Sequence, residues 1–406
     1  MSDAQRTTGL SRRGLLGGLA LGAGGLAVGA ATGYAVASPP AEPPATSTPS
    51  VGATVIDCHG PHQAGLDTPM ASNATFVALD LKPGVDREAL IRMLRLISDD
   101  VVRLTRGQPA LADPQPELAT VPARLTVTIG FGMGLLRAAG LASEAPQWLR
   151  LGLPTFRIDR LESRWSGGDV LLQVAAEDPV TVSHTVRVLL TDSRPFASPR
   201  WSQSGFHRPV ATAPPGMTGR NLMGQVDGTV NPQLGTEDFD RVVWEPDDSE
   251  PAWLRAGTAA VVRRIAMDLT TWGGLDEKTK EESMGRRLAD GAPLTGGTEF
   301  TGPDYDATDS YGLPIIGDTA HMRLAHAQAP LERILRRPYN YDEGPEDAGL
   351  IFAAYMADPT TQYIPIQRRL AKLDVMNLWT TPIGSALFAI APGFAEGEYV
   401  GQTLLG

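Results

Sequence analysis

Cysteine is almost absent from this 406-residue chain. Cys58 stands alone, so no intramolecular disulfide can form and the fold must rest on its core. Histidine is scarce too, with six residues in all. Basic residues are outnumbered, 35 Lys and Arg against 46 Asp and Glu, for a net charge of −11. No basic run with interleaved aromatics is present. That balance argues against nucleic acid as a partner and against adhesion to anionic lipid.

Charge is also missing from most of the N-terminus. Ser11-Arg12-Arg13-Gly14-Leu15-Leu16 carries paired arginines, and an uncharged stretch rich in Ala, Gly and Leu runs from Gly14 to Ala37. Ala35-Val36-Ala37 offers a small-residue cleavage site. Residues 1–37 are therefore expected to be a twin-arginine signal, cleaved near Ala37-Ser38. The mature chain would be exported, to the outside or to the periplasm of a cell with two membranes. The apolar stretch is also long enough to span a bilayer. Its glycines keep it weakly hydrophobic, so no stable membrane span is expected after cleavage. The implied partner is the twin-arginine export machinery, which moves folded cargo and suits a chain that takes up a cofactor first. Residues 38–52, rich in Pro, Ala, Ser and Thr, read as a linker. Loss of residues 1–37 removes three arginines and one aspartate and leaves a net charge of −13.

About 350 residues remain, and they repeat an order. Asp169 to Pro179 reads as a buried strand ending in Asp-Pro, and Gly349 to Pro359 reads the same way. The strand-like Ala74–Leu81 has its counterpart in Thr258–Met267. A helix over Asp86–Val102 follows the first strand, with Leu90, Ile91, Leu94 and Ile97 on one face. Repeated strands separated by helices predict an α+β fold of two ferredoxin-like domains, each an antiparallel sheet covered by helices. The expected spans are 53–205 and 206–406.

Chemistry concentrates in the second half. Asp227 sits on a glycine turn, Gly224-Gln225-Val226-Asp227-Gly228-Thr229, which alone is an ordinary turn signal. His184 reads as a surface or satisfied helix residue and His207 as exposed. His59 and His62, split by Gly60-Pro61, read as structural. His321 and His326 remain, diverging by about 140° on a helix, and residue types alone do not choose between them. Arg336 and Arg337 are adjacent and equally unranked. An acid, a histidine and an arginine are the parts of a peroxide-cleaving haem site: the histidine holds iron, the carboxylate shuttles a proton, and the guanidinium stabilises developing charge. No Cys-x-x-Cys-His is present, which excludes covalent c-type haem.

The Gly224-x-x-Asp227-Gly228 turn, with Gly219-Arg220-Asn221-Leu222 before it and Thr229-Val230-Asn231-Pro232 after it, resembles the signature of the dye-decolourising (DyP-type) haem peroxidases. The resemblance extends from about Gly60 to Gly401. It implies haem b, with Asp227 as the acid–base residue on the peroxide side and Gly228, Thr229 and Val230 against the haem. His321 opens a His-x-Arg-Leu-Ala segment, which implies the axial iron ligand, with His326, Ala327 and Gln328 at the haem edge. Arg336 would be the catalytic arginine, with Arg337 its competitor. Asp374, after Gln367-Arg368-Arg369-Leu370, would hold the other nitrogen of His321. Arg263 and Arg264 would pair with haem propionates, one of them facing solvent. The implied partners are hydrogen peroxide and a small-molecule or aromatic electron donor such as a dye or phenol. Tryptophans and tyrosines, Trp272, Trp379 and Tyr311 among them, would carry electrons from donors too bulky for the pocket. An exported haem- or iron-handling protein with incidental peroxidase activity is the alternative. An ordinary carboxylate accepts a proton even in mild acid, so oxidation of bulky donors is expected to favour acidic pH.

Overall fold

The structure, a computed structural model, describes residues 50–209 and 218–406. The expected signal and all but the end of the expected linker lie outside the described residues. The chain is docked already at Gly52, whose carbonyl accepts from Ala123 N.

Among the described residues nine strands form: β1 Asn73–Leu81, β2 Thr126–Phe131, β3 Val170–Ala176, β4 Ala197–Phe206, β5 Thr258–Met267, β6 Leu335–Arg336, β7 Tyr339–Asp342, β8 Ala348–Met356 and β9 Thr380–Ile390. The first four pair antiparallel in the order β2-β3-β1-β4, and the second half repeats that order as β7-β8-β5-β9. The echo in the sequence is thus a duplicated ferredoxin-like sheet. The two sheets also join at both edges. Gly130 and Phe131 pair with Ile390 and Ala389, and Phe206 pairs with Asn340. Eight strands close into a barrel, and β6 lies beside β8.

Closure explains the strand composition. The barrel interior buries Phe76, Trp201, Val262, Tyr339, Ile351 and Phe388, while Val77, Leu79, Val261 and Ala354 face outward under helices. Both faces are covered, so β3 is buried at every residue and shows no polar alternation. The helix Arg87–Thr105 is capped by Asp86, which accepts from Ala89 N, and buries Leu90, Met93, Leu94, Ile97, Val101 and Leu104. Each such side chain contributes about 1.5–3 kcal/mol. Asp178 caps the helix Pro179–Ser193 in the same manner. The echo breaks at Asp358-Pro359: Asp358 accepts from Thr360 N within a turn, and the helix begins later, at Tyr363.

Two expectations are corrected here. Neither Arg263 nor Arg264 faces solvent, because consecutive residues of β5 enter two covered faces. Arg263 pairs with Asp159 outside the barrel, and Arg264, inside it, reaches buried Gln203 and the half-exposed Asp347 just before β8. His207 is half-buried, not exposed: its ring lies where a side chain at Gly219 would stand. His184 is a buried helix residue, bonded to Asp113 through Nε2, while its Nδ1 has no partner among the described residues. His62 is structural, stacked on Trp244 with its Nδ1 on Ala256 O.

The halves differ most between their first and second strands. One 19-residue helix fills much of that stretch in the first half. In the second, residues 268–334 carry the short helices Leu269–Gly273, Glu277–Met284 and His321–Ala325. Among the described residues no helix is long and apolar enough to cross a membrane.

Candidate active site

The short helix that begins with His321 is too brief to stand alone and is braced from three sides. Arg323 donates to Ile316 O. From the helix Tyr363–Leu373, Arg369 donates to Leu324 O and His326 O. Gly285, at φ +89° after the helix Glu277–Met284, lets that helix end press close: a Cβ there would stand 2.7 Å from Met322 Cγ.

Asp374 follows the helix Tyr363–Leu373. Its Oδ1 accepts from Met376 N at 2.9 Å, and its Oδ2 meets His321 Nδ1 at 2.6 Å. A carboxylate only accepts, so the Nδ1 nitrogen carries the proton. Nε2 is then the free lone pair, and among the described residues it has no hydrogen-bond partner. Burial, the largest single influence, pushes the imidazole towards losing its proton, but the Asp374 charge and hydrogen bond together with the Asp227 charge outweigh it and hold its pKa above the ordinary value. Asp374 is buried while the His321 side chain is 31% exposed. An imidazole oriented through Nδ1 by a buried carboxylate, with Nε2 left without a partner among the described residues, is the donor set that suits haem iron, which takes the place of a proton on Nε2.

The glycine turn carries the acid whose charge acts on this imidazole. Gly224 and Gly228 sit at φ +80° and +124°, which L side chains rarely adopt. The turn is fastened by Arg220, which donates to Gly224 O and Leu288 O, and by Asn221, which accepts from Met223 N and Gln225 N. Asp227 Oδ1 accepts from Arg336 Nη1 at 3.1 Å, with both side chains partly buried. The charges of Arg336 and Asp227 both act on the His321 imidazole.

Adjacent residues of extended chain point to opposite sides, and this separates Arg336, the last residue of β6, from Arg337 just past it. Arg336 turns to Asp227. Arg337 is buried on the other side, donating to Leu66 O and Thr68 O. Asn231 was not singled out from the sequence. Its amide clamps Arg336 by accepting from the backbone N at 3.0 Å and donating to the backbone O at 2.7 Å. The only sequence signal was its place in the Thr-Val-Asn-Pro flank.

The remaining expected residues lie further out. Gly228 and Ala327 are half-buried. Thr229 donates to Glu299. Val230, His326 and Gln328 are exposed, His326 beside the Tyr305 ring. Of the aromatics, Trp272 and Trp379 are buried edge to face, and Tyr311 is 87% exposed.

Two family models match the chain. "Dyp-type peroxidase, N-terminal" covers residues 63–207 and "Dyp-type peroxidase, C-terminal" covers 218–395. The chain is 38% identical to the "Dye-decolorizing peroxidase" of Thermobifida fusca (strain YX), over 99% of both proteins. It is 32% identical to the "Deferrochelatase" of Escherichia coli (strain UTI89 / UPEC), over 97% of both. Its fold matches the crystal structure of a DyP-type peroxidase from Cellulomonas bogoriensis with a TM-score of 0.84 and 50% identity, covering 87% of this chain and 99% of that one.

Proposed function

The chain belongs to the DyP-type peroxidases, a family of haem oxidoreductases, and we propose that His321, Asp227 and Arg336 are its working residues, with haem b as the cofactor. The observation that carries this reading is the pair of separately braced units, Asp374–His321 and Asp227–Arg336, near enough that the charges of the second act on the imidazole of the first.

His321 Nε2 would hold the iron. The absence of Cys-x-x-Cys-His fits a haem that is not covalently attached. Bound there, the haem supplies the metal on which peroxide binds and the electrons that cleave its O–O bond. Asp227 Oδ1 is held by Arg336, and Oδ2 takes the proton from the inner peroxide oxygen and returns it to the outer one, which leaves as water. The Arg336 guanidinium stabilises the negative charge that develops as the bond breaks. Asn231 fixes the backbone of Arg336, so the guanidinium needs little reorganisation during the reaction. Asp374 keeps the proton on Nδ1 and strengthens the imidazole as a donor. Donor molecules then return the site to rest in two one-electron steps.

Residues 1–37 support export by the twin-arginine route as part of this reading. The test is stopped-flow absorbance of the haem-loaded protein mixed with peroxide. Asp227→Ala should slow the spectral change by about 10²–10⁴-fold, and Arg336→Ala by about 10²–10³-fold. Wild-type rates in both variants refute the assignment. The relative named deferrochelatase supports a second reading, haem or iron handling on the same site. Release of iron from bound haem without peroxide would favour it.

A further inference from the structure

A second opening approaches the same imidazole from behind. Asp374 forms part of a groove of about 320 Å³. Ile158, Val375 and Leu378 line it with apolar surface, and Arg157 and Lys372 bring two cations to it. Leu378 is 72% exposed, a large apolar side chain left facing water.

The two cations have no partners among the described residues. Three other arginines are ion-paired, Arg263 with Asp159, Arg323 with Asp318 and Arg369 with Glu332, whereas Arg160 reaches only backbone carbonyls. The guanidinium of Arg157 and the ammonium of Lys372 make no hydrogen bond or ion pair with any described residue, in a chain whose net charge is −11. The Asp374 carboxylate does not supply the missing partner, since its oxygens are engaged by His321 and Met376. Apolar walls with two free cations are complementary to a flat, apolar body that carries a negative substituent. The volume lies at the small end of ligand pockets, which run from about 300 to 1,000 Å³, and suits a molecule of one or two rings.

We infer that this groove binds an aromatic anion, a phenol bearing a carboxylate or sulfonate, as the electron donor. This rests on the peroxidase reading and names the donor class and its seat. Arg157 and Lys372 hold the anionic substituent, and the ring lies against Ile158, Val375 and Leu378. Asp374 then lies between the ring and the imidazole, one 2.6 Å hydrogen bond from His321 Nδ1. Each of two phenols gives up one electron and one proton and becomes a phenoxyl radical. One hydrogen peroxide takes up both electrons and both protons and becomes two waters.

The test uses the haem-loaded full chain and two matched donors, vanillate, which is anionic, and guaiacol, which lacks the carboxylate. In the double variant Arg157→Glu/Lys372→Glu, the ratio of the vanillate KM to the guaiacol KM should rise about tenfold or more at low salt, and less at high salt. Equilibrium dialysis of vanillate without peroxide should show the same weakening, a readout independent of turnover. An unchanged KM ratio, or vanillate binding that survives charge reversal, overturns the groove assignment. Peroxide added without donor is the control for the underlying reading: no haem spectral change in the wild-type protein would overturn the peroxidase site itself, whatever the groove binds.

Discussion

Asp374→Asn removes a charge at nearly constant shape and leaves one acceptor oxygen where the fold uses two. The carboxylate serves two donors at once, Met376 N through Oδ1 and His321 Nδ1 through Oδ2. An amide has a single acceptor oxygen. If that oxygen stays on Met376 N, the amide nitrogen faces the imidazole and donates to Nδ1. The proton of a neutral histidine is then driven to Nε2, where it competes with iron. If the oxygen turns to His321 instead, Met376 N loses its cap. Either way a charge-assisted hydrogen bond of about 1.5–3 kcal/mol gives way to a neutral one of about 0.5–1.5 kcal/mol. The loss of about 1–2 kcal/mol corresponds to a roughly 5- to 30-fold weaker grip on haem. Absorbance titration of haem into haem-free protein measures that constant, and thermal melts of the haem-free variant show whether the fold survived. Wild-type haem affinity and a wild-type peroxide step in a folded Asp374→Asn protein would refute the role given to this residue.

Arg337→Ala should behave unlike Arg336→Ala. It strands one buried and one half-buried carbonyl, Leu66 O and Thr68 O, and should cost about 2–4 kcal/mol in urea unfolding, while the folded fraction still reacts with peroxide. Gly285→Ala should weaken haem binding with only a modest loss of stability, because a Cβ at φ +89° would drive into Met322, in the helix that carries His321; haem titration against urea unfolding checks this. Burial lifts the carboxyl of Glu245 to about 7, partly offset by hydrogen bonds from Trp148 and Ser249. The folded state then binds a proton that the unfolded chain releases near pH 4.5. Its stabilising contribution is complete below that pH and is lost as pH rises towards and through 7. Glu245→Gln should therefore be more stable than wild type at about pH 8, by on the order of 1–2 kcal/mol, and nearly equal to it at about pH 4.

The duplication was legible because the first and third strands of each half are long, apolar and similarly spaced. Barrel closure was not. It rests on two residue pairs between β2 and β9 and one between β4 and β7, partners far apart in the chain that leave no periodic trace. The same closure misled the reading of Arg263 and Arg264. An open sheet would have had a wet face, whereas here both faces are covered. Composition left Arg336 and Arg337 equal, and their places at and just past the end of β6 separate them, one towards Asp227 and one towards the carbonyls of Leu66 and Thr68. Asn231 escaped notice because its work is on the backbone of another residue, 105 positions away.

The central claim is that His321 holds a haem that peroxide can oxidise, opposite Asp227 and Arg336. The visible absorption spectrum of the purified protein, grown with iron and recorded before and after one equivalent of hydrogen peroxide, tests it most directly. The account predicts a haem band that shifts at one equivalent and returns after two equivalents of a one-electron donor, and that is lost or displaced in His321→Ala. A protein without a haem band, or one whose band ignores both peroxide and the loss of His321, would contradict it.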